Sequence, residues 1–383
     1  MSIYLDHNAT APLDPRVLEA MLPWLAGVHG NPASVHRPGR AAHEALEQAR
    51  AQVAALVGVK PAEVVFTGGG TEADNLALKG VCWGKPAGRV LVGAIEHSAV
   101  LGPADALSEL AWQVERFGVD GEGRYDLKAL DKQLAAKDVK LVSAMLANNE
   151  TGVLQDVAAI AQRTHAVKAL LHCDAIQAAG KIPVDFRALG ADLMTLSAHK
   201  LNGPRGVGAL IMDRRVDLKP LVHGGGQEQG LRGGTENLAG IVGFGRAAEL
   251  AKAEPDQRAA HTRELRDALE TEVRKLLGAR IFSGGAERLP NTLQFGIEGL
   301  DGEWLVMEMD KRGIAVSSGS ACHSGKGEPS HVLLAMGLDA ATAKGALRVS
   351  FGSGNTREDV QAVAKALDEI VSSRGQKVAA VGW

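Results

Sequence analysis

The stretch 191–212, ADLMTLSAHKLNGPRGVGALIM, carries two apolar runs, 191–198 and 207–212, with only residues 199–206 between them. A crossover between parallel strands takes a dozen or more residues, usually a helix, so these two strands are predicted to pair antiparallel. Upstream the pattern differs. EVVF (63–66), RVLVGA (89–94), KLVSAMLA (140–147) and ALLHCD (169–174) are short apolar runs, and helical stretches separate most of them. That alternation predicts an α/β fold with a mostly parallel central sheet covered on both faces. Residues 40–57 place apolar side chains at helical spacing and stop at Gly58.

Near residue 250 the texture changes. Residues 257–277 read as one long amphipathic helix, followed by a strand at 291–297, a helix at 302–312 and the strand ALRVSFG at 346–352. The last helix is predicted to start at Thr356, with Asp359 three residues on as an approximate capping box. The expected organisation is a large α/β domain at 13–250 and a smaller α+β domain at 251–383, with the N-terminal arm 1–12 packed on the latter. At roughly 150 residues per domain, a chain of 383 residues suits two domains or three.

Composition narrows the class. Hydrophobic residues make up 45% and charged residues 23%, an ordinary globular balance that argues against a disordered chain. Lys and Arg number 42 against 45 acids, a net charge of −3, so no basic excess marks a nucleic-acid surface. No run of 18 apolar residues suggests a membrane span, and MSIYLDHNAT lacks the features of a signal peptide. Three widely spaced cysteines, Cys82, Cys173 and Cys322, with no CxxC, fit neither a zinc site nor a disulfide framework. A reducing cytoplasm is the expected compartment.

In an open α/β sheet, ligands bind beyond the carboxyl ends of the strands. After strand 63–66 comes TGGGTEADN. Its glycines admit close backbone approach, and Thr71 reads as the cap of a helix with Asp74 at N3. Alone this is an ordinary capped turn or a phosphate cradle. Asn148–Gly152 after strand 140–147 is a turn or a site loop. Asp174 is a helix cap or a buried acid, with Gln177 one turn along. Lys200, between His199 and Leu201, is a solvated lysine or a nucleophile, and His97 is structural or functional. Together they make a set that pyridoxal phosphate requires: a lysine amine for its aldehyde, a carboxylate for its pyridinium nitrogen, and hydroxyls with a helix N-terminus for its phosphate. Cys322 lies in SSGSACHSGKG (317–327), whose lack of apolar residues reads as an exposed, mobile segment, and Lys326 and His323 would favour its thiolate. Cys82 and Cys173 sit in apolar contexts and read as packing residues. Arg348 is an ion-pair partner or a clamp for a carboxylate. HGGGQEQGLRGGTEN (223–237) is a surface loop or one that reaches a neighbouring subunit's site.

Taken in order, YLDHNAT, GNPASVH, TGGGTEADN, AIEH, ANNETG, HCDAIQ, SAHK, HGGGQEQGLRGGT and SSGSAC make the chain resemble the cysteine desulfurases, over about residues 3 to 370. These are fold type I pyridoxal-phosphate-dependent transferases of the class V aminotransferase group. SSGSAC together with HGGGQEQGLRGGT and EPSHVLLAMG resembles the first desulfurase group, with the longer cysteine loop. The resemblance implies conversion of L-cysteine to L-alanine, with sulfur passed to Cys322 as a persulfide. It implies Lys200 as the Schiff-base lysine and proton shuttle, Asp174 at the pyridinium nitrogen, His97 stacked on the ring and acting as a catalytic acid/base, and Gln177 on the phenolic oxygen. Gly70, Thr71, Ser197 and His199 would hold the phosphate, completed by Thr235 of a partner subunit in a homodimer. Arg348 would bind the substrate carboxylate, helped by Asn149, which also borders the cofactor, and by Asn8; Arg232 is a weaker candidate.

No resident metal is expected, although Cys322 could ligate an iron–sulfur cluster in passing. The implied partners are a sulfur-acceptor protein, such as an iron–sulfur scaffold, with neither nucleic acid nor membrane bound directly. Departures from the family pattern are His323, where a small residue is more usual, Lys326, and an end at SSRGQKVAAVGW without the tail that docks the scaffold, which leaves thiolation or phosphorothioation machinery equally open as the destination of the sulfur. The alternatives are a class V aminotransferase, a selenocysteine lyase, or a non-catalytic sulfur carrier, and the last is disfavoured by Lys200.

Overall fold

The computed structural model describes residues 3–319 and 328–381, with side chains described as far as residue 373. Apart from the short β1 (Ile3–Tyr4), the first strands build one sheet. These are β2 (Val64–Thr67), β3 (Arg89–Gly93), β4 (Gln113–Phe117), β5 (Val139–Met145), β6 (Leu170–Asp174), β7 (Leu193–Ser197) and β8 (Gly208–Met212). Their order is β2-β8-β7-β6-β5-β3-β4. Neighbours among β3 to β7 pair parallel, while β8 runs antiparallel to both β7 and β2, as its short connection predicts. Gly208 lies opposite both Thr67 and Ser197. A Cβ there would fall 2.5 Å from the Gly69 carbonyl carbon, so only glycine lets the 68–70 turn lie against β8.

The strands are apolar on both faces because both faces are covered. On one face the helices Arg37–Leu56 and Leu238–Ala253 bury Val53, Phe66, Leu91 and Phe244. On the other, Gly70–Cys82 and Ser98–Ser108 bury Leu76, Val90, Leu141 and Leu210. Each such side chain contributes about 1.5–3 kcal/mol of burial. Strand β4 was not foreseen. It is the sheet edge, and in its QVERF sequence three of the five residues are polar, so it forms no apolar run.

A second, four-stranded antiparallel sheet has the order β12-β13-β10-β9, from β9 (Ala279–Ile281), β10 (Thr292–Ile297), β12 (Ser317–Ser318) and β13 (Ala346–Ser350). β11 (Ile314–Ala315) pairs parallel with β1. The helices Pro255–Val273, Gly302–Asp310 and Arg357–Val381 belong to this part of the chain, and its core includes Leu269, Leu293, Phe295, Val349 and Leu367. Leu5 of the N-terminal arm is buried in the same core. The arm then leaves it: Ser350 N–H donates to Leu5 O at 2.8 Å, and Ala11 N–H to His199 O at 2.9 Å. The arm thus ties the second sheet to the carboxyl edge of the first. Phe282, Leu289, Val332 and Met336 join the large core instead, so the two apolar clusters interleave along the chain.

Two local expectations can be checked at their atoms. Thr356 and Asp359 do form a reciprocal capping box, with Thr356 N–H donating to Asp359 Oδ2 at 3.1 Å and Asp359 N–H to Thr356 Oγ1 at 3.4 Å. Thr71 is not a cap. The helix already begins at Gly70 with Gly69 as its N-cap, and Asp74 is buried beside His172 instead of bonding back to the helix start. Nor does a helix follow Asp174; residues 175–178 form a turn in which Ile176 N–H donates to Asp174 Oδ1 at 2.9 Å. Among the described residues no helix is long and apolar enough to cross a membrane.

Candidate active site

The carboxyl ends of five strands open into one cavity of about 310 Å³. Gly70 and Thr71 reach it from the turn after β2, His97 from the loop after β3, and Asn149 from beyond β5. Asp174 and Gln177 come from the end of β6, and Ser197, His199 and Lys200 from the end of β7. Arg348 enters from β13 of the second sheet and Asn8 from the arm. The cavity therefore collects every expected site residue on the described chain except Thr235 and the weaker candidate Arg232. Thr235 is exposed and lines a separate cleft of about 130 Å³ with Gly68, Arg232 and Asn237. Arg232 is held there by Glu72 at 2.9 Å and does not border the cavity. Cys322, His323 and Lys326 lie outside the described residues.

Lys200 Nζ lies 2.5 Å from Asn8 O and 2.7 Å from Ala9 O, so the arm determines where the amine sits. Asp174 is buried, and burial raises its carboxyl to about 6, opposed by its bond from Ile176 and by the charge of Lys200. Behind it lies Asp74, fully buried; burial and then the charge of Asp174 push its carboxyl well up, with Thr195 opposing. Two carboxyls so placed do not ionise equally, and a cation set before Asp174 would favour its charged form. His172 stands between the layers, with Nδ1 2.8 Å from Ser143 Oγ and Nε2 3.0 Å from Thr195 Oγ1. Burial lowers it to about 3, so it is neutral at pH 7.

His97 caps the helix Ser98–Ser108 by accepting from Ala99 N–H at Nδ1, 3.1 Å. In the neutral ring that leaves the proton on Nε2. His199 contacts Thr10 Oγ1 at 3.1 Å and is lowered to about 4 by burial, then by Lys200 and Arg205. It too is neutral at pH 7, an uncharged hydrogen-bonding group beside the helix start. Arg348 is almost wholly buried, with Nη2 2.7 Å from Asp6 Oδ1 and Nη1 3.0 Å from Asn149 O. It is an ion-pair partner, and it also borders the cavity.

The donor set fits pyridoxal phosphate. Thr10, Gly68–Glu72, Ser197, His199 and Arg205 share a second opening beside the cavity, where the first N–H groups of the helix Gly70–Cys82 have no partner within the helix. At Gly70 a Cβ would meet Ile176 Cδ1 at 2.4 Å, so a larger residue there would push the Ile176 side chain aside at the turn after Asp174. Among the described residues no group of three or more His, Cys, Asp or Glu is arranged to hold a metal ion.

The profile of the class V aminotransferase family matches residues 3–363. This chain belongs to the class V aminotransferases, among the cysteine desulfurases. A cysteine desulfurase of Cereibacter sphaeroides is 44% identical over 373 residues, covering 96% of this chain and 95% of that protein. The structure of a NifS-like protein superposes with a TM-score of 0.91 at 40% identity, covering 97% of this chain and 100% of that one. SspA in complex with cysteine gives 0.82 at 31% identity, covering 93% and 100%. The resemblance and the fold type expected from the motifs are borne out.

Sequence reasoning passed over Asp6, Thr10, Lys181 and Arg205, took Asp74 for a capping residue, and gave Glu150 no role of its own within the 148–152 loop. Asp6 and Thr10 lie within YLDHNAT and Lys181 follows Gln177 closely, but nothing in their spacing shows that the arm crosses the sheet edge. Glu150 is buried, bonded by Ser330 Oγ at 2.5 Å and Gln294 Nε2 at 3.4 Å, and burial lifts it to about 7.

Proposed function

We propose that this chain is a pyridoxal-phosphate-dependent cysteine desulfurase that converts L-cysteine to L-alanine and passes the sulfur to Cys322. The observation that carries it is the convergence of Lys200, Asp174, His97 and Arg348 on one cavity. SspA with bound cysteine supports the choice of substrate.

Pyridoxal phosphate supplies an electron sink that accommodates the charge left when the substrate loses its Cα proton. Asp174 is the carboxylate for its pyridinium nitrogen, and His97 covers the ring. Gln177 meets the phenolic oxygen. Gly70, Thr71, Ser197 and His199 hold the phosphate, with Thr235 contributed by the second subunit of a homodimer. Arg348 binds the substrate carboxylate, flanked by Asn149 and Asn8, and its pairing with Asp6 keeps the guanidinium oriented. The Lys200 amine takes the Cα proton and later returns one. The Cys322 thiolate attacks the substrate Sγ; the Sγ–Cβ bond breaks, its electron pair stays with the alanine fragment, and protonation there releases L-alanine and leaves a persulfide. Among the described cysteines, Cys82 and Cys173 are buried, and burial pushes both thiols up, Cys82 to about 12. Neither is suited to be the thiolate.

In this reading, 13–250 is the cofactor-holding domain and 251–383, with arm 1–12, the domain that brings Arg348. The enzyme works in the cytoplasm and hands its sulfur to an acceptor protein, an iron–sulfur scaffold or another carrier. A single turnover with L-cysteine and no reductant tests the reaction. Alanine matched by one added sulfur on the Cys322 peptide is the expected result. Alanine production that survives Cys322→Ser would move the nucleophile elsewhere, and no alanine from protein that holds its cofactor would move the assignment to an aminotransferase.

A further inference from the structure

Lys181 is a second lysine at this site, and the mechanism above does not use it. Its Nζ lies 2.8 Å from Gln177 Oε1 and 2.8 Å from Asn8 Oδ1, two neutral amide oxygens. Gln177 and Asn8 are the residues assigned to the cofactor's phenolic oxygen and to the substrate.

A carboxamide can be turned over with no change of shape, exchanging its acceptor for its donors. A lysine head that donates to the oxygen removes that freedom. With Oε1 held by Lys181, Gln177 Nε2 faces Asn8 O at 3.0 Å. With Oδ1 held by Lys181 and by Asn291 Nδ2 at 3.1 Å, Asn8 Nδ2 faces Thr292 Oγ1 at 2.9 Å and Asn149 O at 3.2 Å. Asn8 O also receives Lys200 Nζ. Resting on the cofactor reading above, we infer that Lys181 is a positioning residue that sets which way the Gln177 and Asn8 amides present their donors, and through Asn8 O helps to seat Lys200.

The electrostatic surroundings agree. Burial, then Lys200 and Arg348, push the Lys181 amine well below its ordinary value. His7 of the arm and Arg258 of the helix Pro255–Val273 face the same small cleft as Lys181 and Lys200. Loss of that amine leaves two enclosed oxygens without their donor and both amides free to turn.

The test is titration of the apoprotein with pyridoxal 5′-phosphate, read by its visible absorption, for wild type, Lys181→Met, Gln177→Leu and the double variant. Lys181→Met should weaken uptake about tenfold and move the absorption maximum in the same direction as Gln177→Leu. The double variant should lose less than the product of the two single losses, because Lys181 acts in part through the Gln177 amide. Lys181→Gln, which keeps an N–H donor, should fall between wild type and Lys181→Met, and it carries the same comparison if the methionine variant does not fold. A lysine that only supports the fold would lower the melting temperature and leave affinity and absorption as in wild type; that result, or losses that simply multiply in the double variant, overturns the inference. Wild type that takes up no pyridoxal phosphate overturns the cofactor reading and this inference with it, whereas normal uptake by every variant overturns this inference alone.

Discussion

The two sheets meet at the cavity and bring opposite kinds of residue to it. The carboxyl edge of the seven-stranded sheet supplies Asp174, whose carboxyl burial raises to about 6, backed by two buried groups, His172 within β6, lowered to about 3, and Asp74 of the helix Gly70–Cys82, pushed well up. The four-stranded sheet supplies Arg348 from within a strand, already paired with Asp6. The first edge is built to hold groups whose charge depends on what is bound before them, the second to present a permanent cation. The arm joins them through Asn8, which bonds with Lys200 and Gln177 on one side and with Asn291 and Thr292 on the other.

The largest effect should come from breaking the first region at its amine. Lys200→Ala should lower alanine formation at least about a thousandfold, measured in a steady-state assay with L-cysteine. Asp174→Ala comes next, with a loss on the order of a hundredfold or more in kcat and a weaker hold on added pyridoxal phosphate, read by dialysis and absorption. Breaking the second region at Arg348 should look different. Arg348→Lys keeps the charge but loses the planar fork, so KM for L-cysteine should rise by about tenfold or more while kcat falls less. Equal falls in kcat for Asp174→Ala and Arg348→Lys, with KM unchanged in both, would erase the distinction between the two regions.

Stability sharpens the contrast. Phe295 is fully buried in the second sheet's core, and Phe295→Ala should cost about 3–5 kcal/mol, measured by denaturant unfolding. The smallest effect is one of pH. Glu150 is lifted from 4.5 to about 7 by burial, so between those values the folded chain keeps a proton that the unfolded chain releases. Stability from this group therefore falls as pH rises from about 4.5 to about 7 and is level above. Glu150→Gln should flatten that part of the melting-temperature profile, and a wild-type and variant pair whose melting temperatures stay parallel across this range would contradict the assignment.

Much of the fold was legible because its strands are short apolar runs and the 199–206 connection is too short for a crossover. The exceptions have physical causes. β4 is an edge strand and carries polar residues, so its pattern is weak. Thr71 follows a glycine turn and looks like a cap, but Gly69 and Gly70 let the helix begin earlier. The site was legible where residues follow strand ends, as at Asp174 and Lys200, since one sheet edge gathers them. Thr235 lines its own cleft, and within this chain it does not border the cavity.

From its own order of residues this chain established an α/β sheet with one reversed pair, a lysine and an acid at neighbouring strand ends, and membership in a recognisable family. Local periodicity and motif spacing carry those facts. The partnership of Arg348 with Asp6, the seat of Lys200 on the carbonyls of Asn8 and Ala9, and the bonds of Lys181 came only with the packed chain. Asp6 and Arg348 lie 342 positions apart in sequence, and Asn8 and Lys200 lie 192 apart. Contacts over such separations leave no periodic trace, because they depend on how the arm and the two sheets close on one another.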